Sequence, residues 1–188
     1  MGDIVNKIIK RFFTYIYLLK VKIFEKGQLK CSYRVSLDKH VRIEIRRHSS
    51  IIIEGRMNAK RNGEFRAFNG GKLTISDGCT FNNNCMVACG KEIHIGNNTI
   101  FGPNVVIVDH DHDYRSSEGL TSMQYKTGPI VIGDNVWVGA NVVILKNTTI
   151  GNNVVIGAGC IVSGNIKSNT VLTQERVYTE KSYEARKG

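Results

Sequence analysis

The chain has 188 residues, which is long enough for one domain with a buried core, and it carries a net charge of +10 at pH 7. Its five cysteines form no CxxC pair. The basic excess is uneven, because residues 1–72 contain 17 Lys and Arg against 6 Asp and Glu, whereas the remainder is nearly neutral. The N-terminal third therefore predicts an anionic neighbour, either lipid headgroups or an acidic saccharide, with a solvated basic face as the alternative. No nucleic-acid partner is expected, since no finger or RNA-binding signature is present.

Residues 1–29 are predicted to form a separate N-terminal segment dominated by a basic amphipathic helix. Apolar residues of segment 3–26 fall on one stripe, opposite polar and basic ones: Ile4, Val5, Ile8, Ile9, Phe12, Phe13, Ile16 and Leu19. Basic residues interrupt the segment throughout, so it is not expected to span a bilayer or to act as a cleaved signal. Two roles are open: covering the open end of the domain that follows, or lying on an anionic membrane surface.

Residues 30–170 are predicted to form a parallel β-helix. Aliphatic residues stand six positions apart, a period that fits neither an α-helix nor a simple strand: Ile132, Val138, Ile144, Ile150, Ile156 and Val162. Such a period is typical of hexapeptide β-helices, in which each repeat supplies one strand and one turn. Three repeats make one coil, so Ile132 and Ile150 should stack on the same face.

The six-residue period also covers residues 75–107, with a step of eight between Val87 and Ile95. Residues 30–72 alternate apolar and charged residues and are predicted to form irregular first coils. Cys79, Cys85 and Cys160 occupy the small inward position, which predicts buried thiols. Residues 113–125 lack the period and are predicted to form a protruding loop. Residues 171–188 are predicted to be a tail that begins with a short strand.

Two segments carry a resemblance to a known family: the sequence Asp-His-Asp-His at 109–112, where the loop begins, and GPIVIGDNVWVGA at 128–140. The chain resembles the hexapeptide-repeat acyltransferases, in the branch of galactoside, maltose and nodulation acetyltransferases and capsule or O-antigen O-acetyltransferases. The resemblance covers about residues 73–168. It implies a left-handed parallel β-helix, a homotrimer, and acetyl-CoA as co-substrate in a groove between neighbouring subunits.

The resemblance places the catalytic general base at His110, where the loop leaves the β-helix. A histidine suits this role because an imidazole exchanges a proton near neutral pH and a sugar hydroxyl needs a base to become nucleophilic. His112 is the competitor for this role and is otherwise expected to contact the acceptor. No Ser/His or Cys/His arrangement predicts an acyl-enzyme, so direct transfer is expected, and no metal is expected.

Other positions follow from the family pattern alone. Four residues match positions along the coenzyme path: Trp137, Ala140, Ala158 and Ser163. Asn82 and Asn84 match asparagines that face the acceptor, although plain corner residues would explain them equally well. The sequence departs from the family at Ser163-Gly164 and near Leu172, so the partner of the coenzyme's 3′-phosphate is open between Lys146, Lys167 and Arg176.

The predicted function is transfer of an acetyl group from acetyl-CoA to a hydroxyl of a saccharide, a precursor of capsule, O-antigen or another cell-surface polysaccharide. A cytoplasmic protein, peripheral at the inner face of a bacterial membrane, is expected. The alternatives are N-acetylation of an amino-sugar nucleotide and a non-catalytic β-helix that binds a partner. A γ-class carbonic anhydrase would need three histidine ligands for zinc. The candidates are His94, His110 and His112, but they lack the required spacing.

Overall fold

A computed structural model of the chain describes residues 2–175, 177 and 179–182, with the side chains of residues 2–5 and 7 excepted. Helix α1 spans Gly2–Phe24. A left-handed parallel β-helix of about six turns follows it; the six-residue period predicted the parallel β-helix, and the family resemblance implied its left hand. Each turn supplies one strand to each of three faces, and the three faces enclose a narrow prism.

The strands of each face pair in parallel with the equivalent strands of the neighbouring turns. The first face contains β1 (Gln28–Cys31), β4 (Ser50–Ile53), β7 (Lys72–Ile75), β10 (Glu92–Ile95) and β15 (Ile130–Ile132). The second face contains β2 (Val35–Leu37), β5 (Met57–Ala59), β8 (Cys79–Phe81), β11 (Ile100–Phe101), β16 (Trp137–Val138), β18 (Val155–Ile156) and β20 (Val171–Leu172). The third face contains β3 (Arg42–Ile45), β6 (Glu64–Ala67), β9 (Met86–Cys89) and β12 (Val106–Val108). Two longer strands, β17 (Val143–Ile150) and β19 (Ile161–Ile166), begin on the third face and continue onto the first.

The register of the first face shows how the turns differ in length. Ile132 pairs with Ile150, as predicted, and the spacing in that turn is 18 residues. Ser50 pairs with Lys72, a spacing of 22 residues, so the irregular first coils are confirmed. Within most strands, buried and more exposed positions still alternate, because the extra residues of the longer turns are confined to the stretch where the third face runs into the first.

Inward side chains fill the prism with apolar contacts. Phe81 stacks on Phe101 with ring centroids 4.6 Å apart and meets the edge of Phe65 at 4.9 Å. Cys79, Cys85 and Cys160 are buried, as predicted. Burial raises the pKa of Cys79 to about 11, so this cysteine remains a protonated thiol that fills space in the core.

Helix α1 covers the open end of the first coil, where β2 and β3 are edge strands. Thr14 accepts a hydrogen bond from the backbone N–H of Leu37 at 3.1 Å, and the Tyr17 hydroxyl accepts one from Ile43 at 2.8 Å. The carboxylate of Glu25, just after the helix, accepts one from the N–H of Ile45 at 2.8 Å. The helical segment therefore caps the solenoid, because its side chains pair with edge groups that would otherwise lack partners.

The predicted apolar stripe is not the face of α1 that packs. The packed face carries Thr14, Tyr17, Leu18 and Val21, whereas side chains of the predicted stripe are exposed: Ile8, Ile9, Phe12, Phe13 and Leu19. Hydrophobicity alone does not decide which side of the helix packs, because the strand edge also requires hydroxyl acceptors. The outward stripe thus remains uncovered in a single chain. Within the described part of the chain, no helix combines the length and hydropathy needed to cross a bilayer.

The insertion leaves the solenoid after β12. Ile93 pairs with Ile130, a spacing of 37 residues where the next turn has 18. Strand β13 (His110–His112) pairs antiparallel with β14 (Tyr125–Thr127), and a 3₁₀ helix at Gly119–Ser122 lies between them. The period-free residues 113–125 thus belong to a hairpin-like excursion anchored by a short ladder. At the C-terminus, β20 begins the predicted tail, and Arg176 and residues 183–188 lie outside the described residues.

Candidate active site

His110 is the first residue of β13, at the edge where the third face of the prism turns toward the first. Its side chain is only 15% exposed. The ring packs edge-on against Phe68 at 4.9 Å and against Tyr125 at 5.0 Å between centroids. Two aromatic walls and the β13–β14 ladder therefore restrict the imidazole to one orientation.

Asp109 holds His110 from the preceding position. Its side chain is fully buried, and its carboxylate accepts hydrogen bonds from the backbone N–H groups of Gly90 at 2.6 Å, Lys91 at 2.8 Å and Glu92 at 3.0 Å. The imidazole Nδ1 of His110 lies 3.2 Å from the same carboxylate. The turn at residues 90–92 supplies these three N–H groups and is called the Asp109 seat below. It belongs to the coil with the eight-residue step, so the irregularity in the repeat forms this carboxylate-binding turn.

This arrangement fixes both the charge of Asp109 and the tautomer of His110. Burial alone would raise the pKa of Asp109, but hydrogen bonds from His110, Gly90 and Lys91 outweigh it and hold that pKa below its usual value. An ionised carboxylate only accepts hydrogen bonds, so the imidazole hydrogen resides on Nδ1. The Nε2 atom of His110 is then the lone-pair atom available to accept a proton.

The thiol of Cys89 lies beside the carboxylate of Asp109. Burial raises the pKa of its thiol, and the neighbouring Asp109 charge raises it further. A thiol in such surroundings stays protonated and is a poor nucleophile. The site therefore favours direct transfer over an acyl-cysteine intermediate.

One ion pair beside His110 joins the loop to the solenoid, and a second lies within the β13–β14 excursion. Asp111 pairs with Lys146 at 2.7 Å, and Asp113 pairs with Lys126 at 2.9 Å. Lys146, one of the three residues considered for the coenzyme phosphate, is thus engaged with the loop. His112 is exposed, and its ring lies 4.8 Å from that of Tyr125, which also contacts His110.

The positions matched to the coenzyme path lie on different parts of the prism. Trp137 projects from the second face with 59% of its side chain exposed, between Ile100 and Val155 of the neighbouring turns. Ala140 and Ala158 stack one turn apart on the edge between the second and third faces. The turns approach closely there: a Cβ atom on Gly139 would lie 2.6 Å from the backbone nitrogen of Ala158.

Ser163 is exposed and follows the third-face part of β19, on the same edge as His110. Asn82 and Asn84 lie on the opposite edge of the third face, with Ala140. A single chain therefore places His110 and the Trp137–Ala140 corner on separate edges. No residue contact recorded within the described part of one chain joins His110 to Trp137, Ala140 or Ala158.

Asn84 belongs to a ladder of asparagines along its edge. Its amide oxygen accepts a hydrogen bond from Asn62 at 3.0 Å, its amide nitrogen donates to Asn104 at 2.9 Å, and Asn104 donates to Asn141 at 3.0 Å. All four adopt positive φ, a conformation that asparagine tolerates better than most residues. The hydrogen bonds of the ladder are enough to explain why asparagine occupies position 84. Contact with an acceptor stays a prediction for both Asn82 and Asn84.

Sequence reasoning singled out His110 but missed Asp109, Phe68 and Tyr125 as its supports. The step of eight between Val87 and Ile95 was the only signal that pointed to the seat of Asp109. The described residues contain no group of three or more His, Cys, Asp or Glu side chains arranged to hold a metal ion. Within one chain, His94 lies on the first face and forms no such group with His110 and His112.

We expect Asp109→Asn to lower kcat by on the order of 10²-fold, because an amide in this seat no longer fixes the orientation and tautomer of His110. KM should change much less, which steady-state kinetics would show. A merely structural role predicts instead a loss of folded protein with normal turnover in the folded fraction.

The same variant should change the pH dependence of stability. The pKa of Asp109 is depressed in the folded protein, so its contribution is complete above the ordinary carboxyl pKa of about 3.9 and is lost as the pH falls below it. The difference in unfolding free energy between wild type and Asp109→Asn should therefore shrink on acidification. Urea titrations at several pH values measure it, and a difference that grows on acidification would contradict this assignment.

Comparisons with known proteins agree with the repeat pattern. Residues 129–164 match the family described as bacterial transferase hexapeptide (six repeats). The chain is 35% identical over 114 residues to WbbJ of Escherichia coli (strain K12), provisionally named a lipopolysaccharide biosynthesis O-acetyl transferase, and the match covers 56% of this chain and 58% of that protein. The chain thus spans little more than half the length of this relative.

Two solved structures share the architecture. A hexapeptide-repeat acetyltransferase from Vibrio cholerae O1 biovar eltor, complexed with acetyl-CoA, superposes with a TM-score of 0.53 at 22% identity, over 82% of this chain and 69% of that one. A galactoside acetyltransferase in complex with coenzyme A gives a TM-score of 0.50 at 26% identity, over 80% of this chain and 62% of that one. The resemblance to hexapeptide-repeat acyltransferases is thereby confirmed.

Proposed function

We propose that this chain, whose residues 129–164 carry the bacterial transferase hexapeptide repeats, moves the acetyl group of acetyl-CoA to a hydroxyl of a saccharide. The observation that carries the proposal is the buried Asp109 carboxylate that orients His110 at the mouth of the loop. A fixed imidazole with its Nε2 lone pair available is the group that O-acyl transfer requires. The O-acetyl transferase name of WbbJ supports the same reaction class.

In the proposed mechanism, Nε2 of His110 accepts the proton of the acceptor hydroxyl while the oxygen attacks the thioester carbonyl. The C–O bond forms, the C–S bond breaks, and the proton passes from the imidazolium to the leaving sulfur. Asp109 stabilises the transient imidazolium through the Nδ1 hydrogen bond. Base catalysis of this kind contributes roughly 10²- to 10⁴-fold.

The second-to-third edge offers a path for the coenzyme. Ala140 and Ala158 present no side-chain atom beyond Cβ, so a narrow pantetheine chain can follow the edge closely. The exposed indole of Trp137 adds apolar surface beside it. We assign the backbone N–H of Ala140 to the developing oxyanion and place Ser163 further along the path, at the neighbouring subunit. Of the three candidates for the 3′-phosphate of the coenzyme, Lys146 pairs with Asp111 and Arg176 lies outside the described residues. Lys167 forms no ion pair within the described part of the chain, so we assign the phosphate to it.

The acceptor class is a saccharide of a cell-surface polysaccharide such as capsule or O-antigen, with His112 and Asn82 as its contacts. A screen of acetyl-CoA consumption against neutral saccharides, acidic saccharides and amino-sugar nucleotides tests this. Turnover with a hydroxyl acceptor is expected, with an ester product that mild alkali cleaves. Turnover confined to amino-sugar nucleotides, with an alkali-stable amide product, would replace the proposal by N-acetylation.

A homotrimer completes the site in this proposal. Because His110 and the Trp137–Ala140 corner lie on separate edges of one chain, a neighbouring chain must supply one of them. Mixing inactive His110→Ala protein with an inactive Trp137→Ala variant under subunit exchange should restore part of the activity. Sedimentation should give a trimer, and a fully active monomer would reject the shared site.

We further place the protein at an anionic membrane surface through residues 3–26. The outward stripe of α1 is apolar, with Phe12 60% and Phe13 65% exposed, and Arg11, Lys20 and Lys22 lie on the same helix. Since α1 also caps the solenoid, deleting it would confuse the two roles. Phe12→Ser with Phe13→Ser leaves the packed face intact and should weaken binding to phosphatidylglycerol vesicles. Unchanged binding would exclude this surface.

A further inference from the structure

A groove of about 640 Å³ lies between α1 and the corner that joins β2 to β3. Ile9 and Phe13 of the helix form one wall, and Leu37 and Val41 of the first coil form the other. The groove belongs to the first coil, whereas His110 lies in the fourth, so it is separate from the proposed acetyl-transfer site. It is continuous with the outward stripe of α1, because Ile9 and Phe13 belong to both.

The rim of the groove is cationic. Lys39, His40 and Arg61 line it and are exposed, and no ion pair is recorded for Lys39 or Arg61 within the described residues. The other charged groups of the groove, Lys10 and Asp38, form an ion pair with each other. The lining therefore retains two uncompensated positive charges beside an apolar cleft.

We propose that this groove binds one phosphate-bearing lipid molecule. The phosphate group contacts Lys39 and Arg61, and the adjoining hydrocarbon lies between Ile9, Phe13 and Val41. Charge complementarity selects an anionic headgroup, because a zwitterionic one brings its own cation to the same rim. Continuity with the exposed stripe lets the rest of the lipid remain in the bilayer. The proposal extends the membrane contact proposed above and does not depend on acetyl transfer.

The test measures binding of a short-chain lipid below its micelle concentration. Dihexanoyl phosphatidic acid is titrated into the full-length protein by calorimetry, with inorganic phosphate and dihexanoyl phosphatidylcholine as parallel probes. Phosphatidic acid should bind more tightly than either. The variant Lys39→Gln/Arg61→Gln should weaken its binding about 10-fold or more, since each basic residue near an anionic headgroup contributes roughly 5-fold to the affinity.

A matched control removes the same charge elsewhere. Lys30 and Lys72 are exposed on the first face, away from the groove, and Lys30→Gln/Lys72→Gln should keep the affinity within about 2-fold of wild type. Circular dichroism melting verifies that both variants fold. Ile9→Gln should weaken phosphatidic acid binding while leaving that of inorganic phosphate unchanged.

Three results would overturn the proposal that the groove binds a lipid. An equal loss in the Lys30/Lys72 control would mean diffuse attraction to the basic third of the chain. Equal affinity for inorganic phosphate would mean that the hydrocarbon makes no contact. Full vesicle binding by Lys39→Gln/Arg61→Gln would show that the outward stripe alone meets the membrane. Acetyl transfer to a soluble saccharide, measured on the same variants, reports separately on the proposed enzyme activity.

Discussion

His110→Ala is expected to lower kcat by about 10²-fold or more, because the acceptor hydroxyl loses the base that takes its proton. Coenzyme binding should persist, since the proposal gives the coenzyme to Trp137, Ala140 and Ala158 and gives His110 the proton of the acceptor. Steady-state kinetics gives kcat and KM, and calorimetric titration of coenzyme A gives its Kd. A fall in kcat with unchanged Kd identifies an interaction made in the transition state.

His112→Ala is the matched control, two residues along the same strand. Its exposed ring touches Tyr125, and no contact with the buried carboxylate of Asp109 is recorded for it among the described residues. We expect a rise in KM for the saccharide and a smaller effect on kcat. If His112→Ala abolished turnover and His110→Ala did not, the base would be His112, and the Asp109 seat would have a structural role only.

The architecture was predictable from the sequence because one physical requirement repeats in every turn. Each six-residue repeat buries the same positions in the narrow prism, so aliphatic residues such as Ile132 and Ile150 reveal both the period and the register. Turns with 22-residue spacing remained recognisable as irregular coils, because their inward alternation survives the longer corners. The left hand came from the family resemblance, since periodicity does not encode handedness.

The supports of His110 were not predictable in the same way. Asp109 precedes the histidine and has no periodic signal, and its three N–H partners lie about 18 residues earlier in the chain. Phe68 comes from two turns below, in a part of the chain that the family resemblance hardly covers. Tertiary contacts across turns bring them together, and a single sequence does not reveal such contacts.

Helix α1 shows a different limit. The sequence predicted the helix but left capping and membrane contact open as its roles, because hydrophobic periodicity does not register the hydrogen bonds that an open strand edge requires. Thr14 and Tyr17 look unremarkable in a helical wheel, yet their hydroxyls pair with edge N–H groups of Leu37 and Ile43. The apolar stripe lies outside the packed face and therefore remains available for a partner.

Phe81→Ala should cost about 3–5 kcal/mol of unfolding free energy, the usual range for deleting a buried aromatic ring. Phe81 has no exposed surface and lies between Phe65 and Phe101 in successive turns. The deletion leaves a cavity where three rings meet, and the flanking strands are too constrained by their ladders to close it. Urea unfolding followed by circular dichroism, at one fixed protomer concentration, measures the loss.

Phe24→Ala is the control, because the ring of Phe24 at the end of α1 is 78% exposed and its removal should cost less than about 0.5 kcal/mol. In a solenoid each turn is stabilised mainly by its neighbours, so a weakened middle turn should also broaden the transition or divide it in two. Equal stability of the two variants would mean that the ring contacts around Phe81 contribute little. The stability of the middle turns would then have to come from backbone ladders and the asparagine ladder along the edge.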